Sequence, residues 1–120
     1  MRREEKILVV EDNPAIARAI EAAGEAFCVK CDCATDGWDA ISKLETEDYA
    51  AILIDADVPR QSGYGVLTYL REEVGNDLLG HVIMMTSSDR AEVSRRAGGI
   101  RVVAKADAVA EITKFCQETE

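Results

Sequence analysis

The sequence predicts a doubly wound α/β fold: a five-stranded parallel sheet in the order 2-1-3-4-5, with helices on both faces. Three observations carry this expectation. Short strand-like runs alternate five times with segments of helical periodicity, which implies a parallel sheet joined by right-handed crossovers. The first run, Ile7-Leu8-Val9-Val10, is continuously apolar, as a strand buried on both faces requires. The residues that end the runs are also chemically assorted: carboxylates close the first and third, hydroxyls the fourth and a lysine the fifth.

Each element has its own local reason. Residues 14–27 place Ile16, Ile20, Ala23 and Phe27 at helical spacing, with Pro14 suited to the first turn. Val29, Cys31 and Cys33 alternate with Lys30 and Asp32, the pattern of a half-buried strand. Asp36-Gly37 turns the chain into a helix on which Trp38, Ile41 and Leu44 read as a core stripe. Residues 50–54 form the third strand, and Val66, Leu67, Leu70 and Val74 mark the third helix. Residues 82–85 are the fourth strand, and 89–97 a short helix capped by Ser88 or Asp89. Residues 102–104 are the last strand, and Val109, Ile112, Phe115 and Cys116 belong to a closing helix. For five strands of this kind the expected arrangement is the flavodoxin-like one.

The 120 residues fit one domain, residues 1–120, with 48 % hydrophobic and 31 % charged residues typical of a globular protein. The N-terminal apolar run is too short for an export signal or a membrane span, so the expected location is the cytoplasm, where thiols stay reduced. A formal net charge of −9 argues against direct binding of nucleic acid or an anionic membrane.

In a parallel sheet all strand C-termini lie on one edge, where open α/β sheets hold their ligands. Strands 1, 3, 4 and 5 are neighbours in the expected order, so Glu11, Asp12, Asp55, Thr86 and Lys105 converge there. Strands generally end where polar loops begin, but that explains polarity and not this assortment. Three carboxylates brought together repel one another, so one takes a proton or a cation binds among them. Mg²⁺ suits such oxygen ligands, and it completes its shell with water and phosphate. A lysine and a hydroxyl opposite suit the remaining phosphoryl oxygens.

These segments resemble the receiver domains of two-component response regulators. The resemblance rests on Ile7-Leu8-Val9-Val10-Glu11-Asp12-Asn13-Pro14, on Ile52-Leu53-Ile54-Asp55-Ala56-Asp57-Val58-Pro59 with Gly63, on Met84-Met85-Thr86-Ser87 and on Lys105. It implies that Asp55 is the phosphoacceptor, taking a phosphoryl group from a sensor histidine kinase, a phosphotransfer protein or a small donor such as acetyl phosphate. It implies that Glu11, Asp12, Asp55 and the backbone carbonyl of Asp57 hold Mg²⁺. It further implies that Thr86 and Lys105 contact the phosphoryl group, that output runs through protein–protein contacts, and that the chain turns over no substrate of its own.

The sequence departs from the family on the side that transmits the signal. Ala106 stands where the family carries proline after the lysine, so a trans Lys105–Ala106 bond is expected, because a non-proline cis bond costs about 3–4 kcal/mol. Val102 stands at the aromatic switch position, and the interval from Thr86 to Lys105 is short, which predicts a stunted fourth helix. Asp57 adds a carboxylate two residues after the acceptor, and with Ser88 it is positioned to tune phosphoryl lifetime. These departures keep an alternative open, a receiver-like adaptor that works without phosphorylation.

Other readings compete. The Asp55-Ala56-Asp57 triplet resembles the motif of haloacid-dehalogenase-type phosphatases, although no paired acids follow Lys105 to hold their metal. A flavin-binding role would need a Ser/Thr/Gly-rich phosphate cradle after the first strand, where Glu11 and Asp12 would repel phosphate. Cys28, Cys31 and Cys33, with Cys116, have a zinc-like spacing, yet buried cysteine is an ordinary small core residue. Trp38 is expected in the core, His81 carries no assignment, and the alanine-rich first helix reads equally as a docking face or as plain helix propensity.

Overall fold

The computed structural model describes residues 6–118, and of Asn76 and Asp77 the backbone alone. The five runs are strands: β1 (Lys6–Val10), β2 (Lys30–Ala34), β3 (Ala51–Asp55), β4 (Val82–Thr86) and β5 (Arg101–Ala104). They form one sheet in the order β2-β1-β3-β4-β5, every pair parallel, as the sequence predicts. Register sets Val10 beside Ile54, Asp55 beside Met85 and Thr86 beside Ala104, so the C-terminal ends of these strands lie level.

The helices are α1 (Pro14–Glu25), α2 (Gly37–Thr46), α3 (Gly63–Tyr69), a single turn α4 (Asn76–Leu79), α5 (Arg90–Ala97) and α6 (Ala108–Glu118). Side chains alternate across a strand, so β1 and β3 feed two cores. Leu8, Val10, Ile52 and Ile54 pack with Ala40, Val66, Leu67 and Val93 on the side of α2, α3 and α5. Ile7, Val9 and Leu53 pack with Ile20, Ile112 and Cys116 on the side of α1 and α6. Each fully buried Ile or Leu contributes about 1.5–3 kcal/mol. Local side chains set the helix starts: Asn13 Oδ1 accepts the Ala15 N–H at 2.9 Å, and Asp36 Oδ1 accepts the Asp39 N–H at 2.8 Å. Asp89, rather than Ser88, caps α5, accepting the Ala91 N–H at 2.9 Å.

Two expectations about apolar stripes are corrected. The helix expected through Val74 starts at Gly63 and opens after Tyr69 into a wide π turn over Leu70–Val74, closed by the Gly75 N–H on Leu70 O at 3.0 Å. The extra residue in that turn rotates Val74 off the core face, and it is 46 % exposed. Trp38 is 55 % exposed and not a core residue. Steps of three lag the helix by about 60° each, so Trp38 and Leu44 point about 120° apart. The buried side of α2 centres on Gly37 and Ala40 instead.

The cysteines follow the bland expectation. Cys31 and Cys116 are buried, Cys33 is half-buried and Cys28 is exposed, with φ +60°. Burial pushes the Cys31 thiol up to about 12. Among the described residues no three cysteines approach closely enough to share a metal ion.

Truncating Ile54 and Trp38 separates core from surface. Ile54→Ala, at a fully buried position, is expected to cost about 2–5 kcal/mol. Trp38→Ala is expected to change stability by less than about 0.5 kcal/mol. Urea unfolding of the two variants measures both.

Candidate functional site

The level strand ends bring the assorted polar residues together. Glu11 directly follows β1, its N–H donating to Ala34 O at 2.9 Å, and is 1 % exposed. Asp55 closes β3 at 3 % exposure and Thr86 closes β4 at 1 %. Lys105 opens a 3₁₀ turn, Lys105–Asp107, immediately after β5. A side chain on Gly63 would place its Cβ 2.7 Å from the backbone oxygen of Asp55, so glycine is what lets α3 start against the end of β3.

Glu11, Asp12 and Asp55 present carboxylate oxygens within 4.8 Å of one another. Lys105 Nζ lies 3.0 Å from Glu11 Oε2 and 3.0 Å from Asp55 Oδ2. Backbone donors fix the rest: the Asn13 N–H reaches Glu11 Oε2 and the Asp57 N–H reaches Asp55 Oδ1, each at 3.0 Å. Thr86 Oγ1 accepts the Ser88 N–H at 2.9 Å. Of the residues singled out in the sequence, Glu11, Asp12, Asp55 and Lys105 therefore meet directly. Asp57 reaches the site through its N–H, while its carboxylate is exposed and stands outside the acidic trio. Thr86 is one residue beyond Met85, the register partner of Asp55.

Glu11 is held above the ordinary carboxylate range by burial, which outweighs the hydrogen bonds from Asn13 and Lys105. For Lys105 partial burial opposes the ammonium, but its bonds to Glu11 and Asp55 prevail and the net displacement is upward. Glu11 Oε1 is buried and lacks any hydrogen-bond partner. A desolvated carboxylate oxygen without a donor, beside two further carboxylates, could hold a cation, and an all-oxygen donor set suits a hard divalent ion.

The side of the sheet around β5 and α5 differs from the motif as the sequence indicates. No cis peptide occurs among the described residues, so Lys105–Ala106 is trans. Val102 is half-buried against the α2–α3–α5 core, and α5 has only 8 residues. That helix is tied to α3 and its π turn: the Arg96 guanidinium stacks 3.9 Å from the Tyr64 ring centre, and Arg71 donates to the carbonyls of Ala97 and Gly98. Two residues that no motif flags also bear on the site. Arg60 Nη2 meets Asp36 Oδ2 at 2.6 Å and fastens the loop after Asp55 to α2.

The geometry agrees with similarity to known proteins. A probable transcriptional regulator of Porphyridium aerugineum is 32 % identical over 100 residues, covering 83 % of this chain and 39 % of that protein. The chain spans 39 % of the length of that relative, and 30 % and 38 % of two further regulators that it matches, from Streptococcus agalactiae and Galdieria sulphuraria. Its fold matches a chemotaxis protein of Vibrio cholerae with a TM-score of 0.82 at 18 % identity, covering 98 % of this chain and 99 % of that one. It also matches the receiver domain of a sensor histidine kinase of Pseudomonas aeruginosa, solved with a magnesium ion coordinated in the active site cleft. That match has a TM-score of 0.78 at 28 % identity and covers 96 % of each chain. The response regulator receiver domain profile matches residues 7–119, and the chain belongs to that family of two-component signalling domains.

Proposed function

We propose that the chain is a phosphoacceptor switch of a phosphorelay, with Asp55 accepting a phosphoryl group from a sensor histidine kinase or a phosphotransfer protein. The observation that carries this is the buried Asp55 carboxylate, held at one oxygen by the Asp57 N–H and at the other by Lys105. An Asp55 oxygen attacks phosphorus, an acyl-phosphate P–O bond forms, and the P–N bond to the donor histidine breaks with its electron pair left on the imidazole. The Asp57 N–H and the strand end fix the angle of the nucleophile, which is the positioning contribution to transfer. Lys105 follows the developing charge onto the phosphoryl oxygens, and the Thr86 hydroxyl contacts that group from β4.

Mg²⁺ is the cofactor in this reading, held by Glu11, Asp12, Asp55 and the Asp57 backbone carbonyl, and when bound it neutralises charge on the carboxylates and the phosphoryl group. Support comes from the unpartnered Glu11 Oε1 and from the ion-bearing receiver domain of Pseudomonas aeruginosa. Output runs through contacts with another protein in the cytoplasm, and the chain is not itself a turnover enzyme. Among the described residues no helix is long and apolar enough to cross a membrane.

A second reading, the phosphorylation-independent adaptor, is favoured by Val102 and by the fastening of α5 to Tyr64 and Arg71. Intact mass after incubation with acetyl phosphate separates the two. The acceptor reading expects a Mg²⁺-dependent gain of one phosphoryl group that Asp55→Asn abolishes. No gain from either acetyl phosphate or a kinase, with no Mg²⁺ binding, leaves the adaptor.

Two further outcomes follow from the site. Asp57→Asn is expected to change the dephosphorylation rate, because it removes an exposed negative charge two residues after the acceptor, on the residue whose N–H holds Asp55; loss of phosphate from the isolated phosphoprotein measures it, and an unchanged rate ends the idea. Glu11→Gln is expected to stabilise the protein in EDTA at neutral pH while weakening Mg²⁺ binding. The folded pKa of Glu11 lies above its unfolded value, so its burial is most favourable below the unfolded value of about 4.3 and is progressively lost as pH rises through the folded one. The gain from Glu11→Gln therefore shrinks at acid pH, which urea midpoints at neutral and acid pH would show.

A further inference from the structure

The loop that follows Asp55 is fastened to a helix that contributes no residue to the site. Asp36, the N-cap of α2, is 7 % exposed and uses its two oxygens separately. Oδ1 accepts the Asp39 N–H at 2.8 Å and Oδ2 meets Arg60 Nη2 at 2.6 Å. Arg60 holds φ +68°, a left-handed conformation that a residue with a side chain keeps only where its neighbours impose it. Beside it, Gln61 fills a slot between Gly37 and Gly65, where a Cβ on either glycine would overlap it.

At the other end of the same segment the Asp57 N–H donates to Asp55 Oδ1 at 3.0 Å. Only Val58 and Pro59 separate the two anchors. Val58 is buried, and the ring of Pro59 fixes its own φ. A short segment pinned in this way passes a displacement at Arg60 on to the Asp57 N–H.

We propose that Asp36 and Arg60 are positioning residues: their ion pair, with Gln61 seated between Gly37 and Gly65, latches the loop so that the Asp57 N–H keeps Asp55 oriented. The latch is a property of the free chain. Its consequence for phosphoryl transfer rests on the acceptor reading of Asp55. Arg60 is largely exposed, so the pair is screened by salt.

Asp36→Asn keeps a capping oxygen for α2 and removes the charge, while Arg60→Gly removes the guanidinium and suits the positive φ. Neither change removes a core contact. Amide exchange followed by NMR in EDTA reads the latch directly. Each variant is expected to exchange the Asp57 amide about fivefold faster than wild type, the scale of one partly exposed ion pair. The double variant is expected to match the singles, and high salt to bring wild type toward them. An unchanged Asp57 amide in both variants, or additive effects in the double variant, overturns the latch. With acetyl phosphate and Mg²⁺ the variants are expected to lose maximal phosphorylation rate at unchanged apparent KM. A wild type that takes no phosphoryl group defeats the acceptor reading alone, and the exchange result still decides the latch.

Discussion

The carboxylates gathered at one edge of the sheet set the terms for the rest of the molecule. Glu11 and Asp55 are almost fully buried and Asp12 lies against them, so their mutual repulsion and desolvation must be offset inside the fold. A single ammonium, Lys105, reaches both buried carboxylates at 3.0 Å. It comes from the turn that follows β5, far along the chain, which makes the site a product of the complete sheet and of no single motif. One ammonium does not satisfy every oxygen: Glu11 Oε1 stays buried without a hydrogen-bond partner, in a carboxylate group that could hold a metal ion.

The apolar strands make that arrangement rigid. β1 and β3 are buried on both faces, and a slip by one residue would exchange their two sets of core contacts. Register thereby fixes Asp55 beside Met85 and the end of β1 beside that of β3. Packing, more than any polar contact, gives the site its precision. The loops above it are fixed by smaller devices: the Asn13 cap, the glycine at position 63, and the Asp36–Arg60 pair.

The side leading away from the site is built differently from what the family motif implies. Val102 is a half-buried aliphatic residue packed against the core, and Ala106 follows Lys105 through a trans bond within a 3₁₀ turn. The short α5 is held at its far end by Arg71 and along its side by Arg96 on Tyr64. Between Thr86 and α5 lie the Ser88 N–H on the Thr86 hydroxyl and the Asp89 cap, with no aromatic side chain at position 102.

Periodicity and strand-end chemistry were enough to determine the fold class, the strand order and the carboxylate–lysine cluster. These depend on which residues are apolar at which spacing, and on the rule that parallel strands end together. The start of α1 at Pro14 and the trans bond at Ala106 were likewise legible, because caps, proline and cis-bond energies act locally, whereas α1 ends at Glu25, two residues before the Phe27 that the periodicity included. The tertiary structure decided what turns on angle or on distant partners. Trp38 left the core because its helix phase differs from Leu44, and Val74 because one extra residue in the π turn rotated it outward. Arg60 and Asp36 meet across two connections, with no local pattern to announce the pair. Local propensities are written along the chain, whereas a contact between remote residues exists only once the sheet has brought their backbones together.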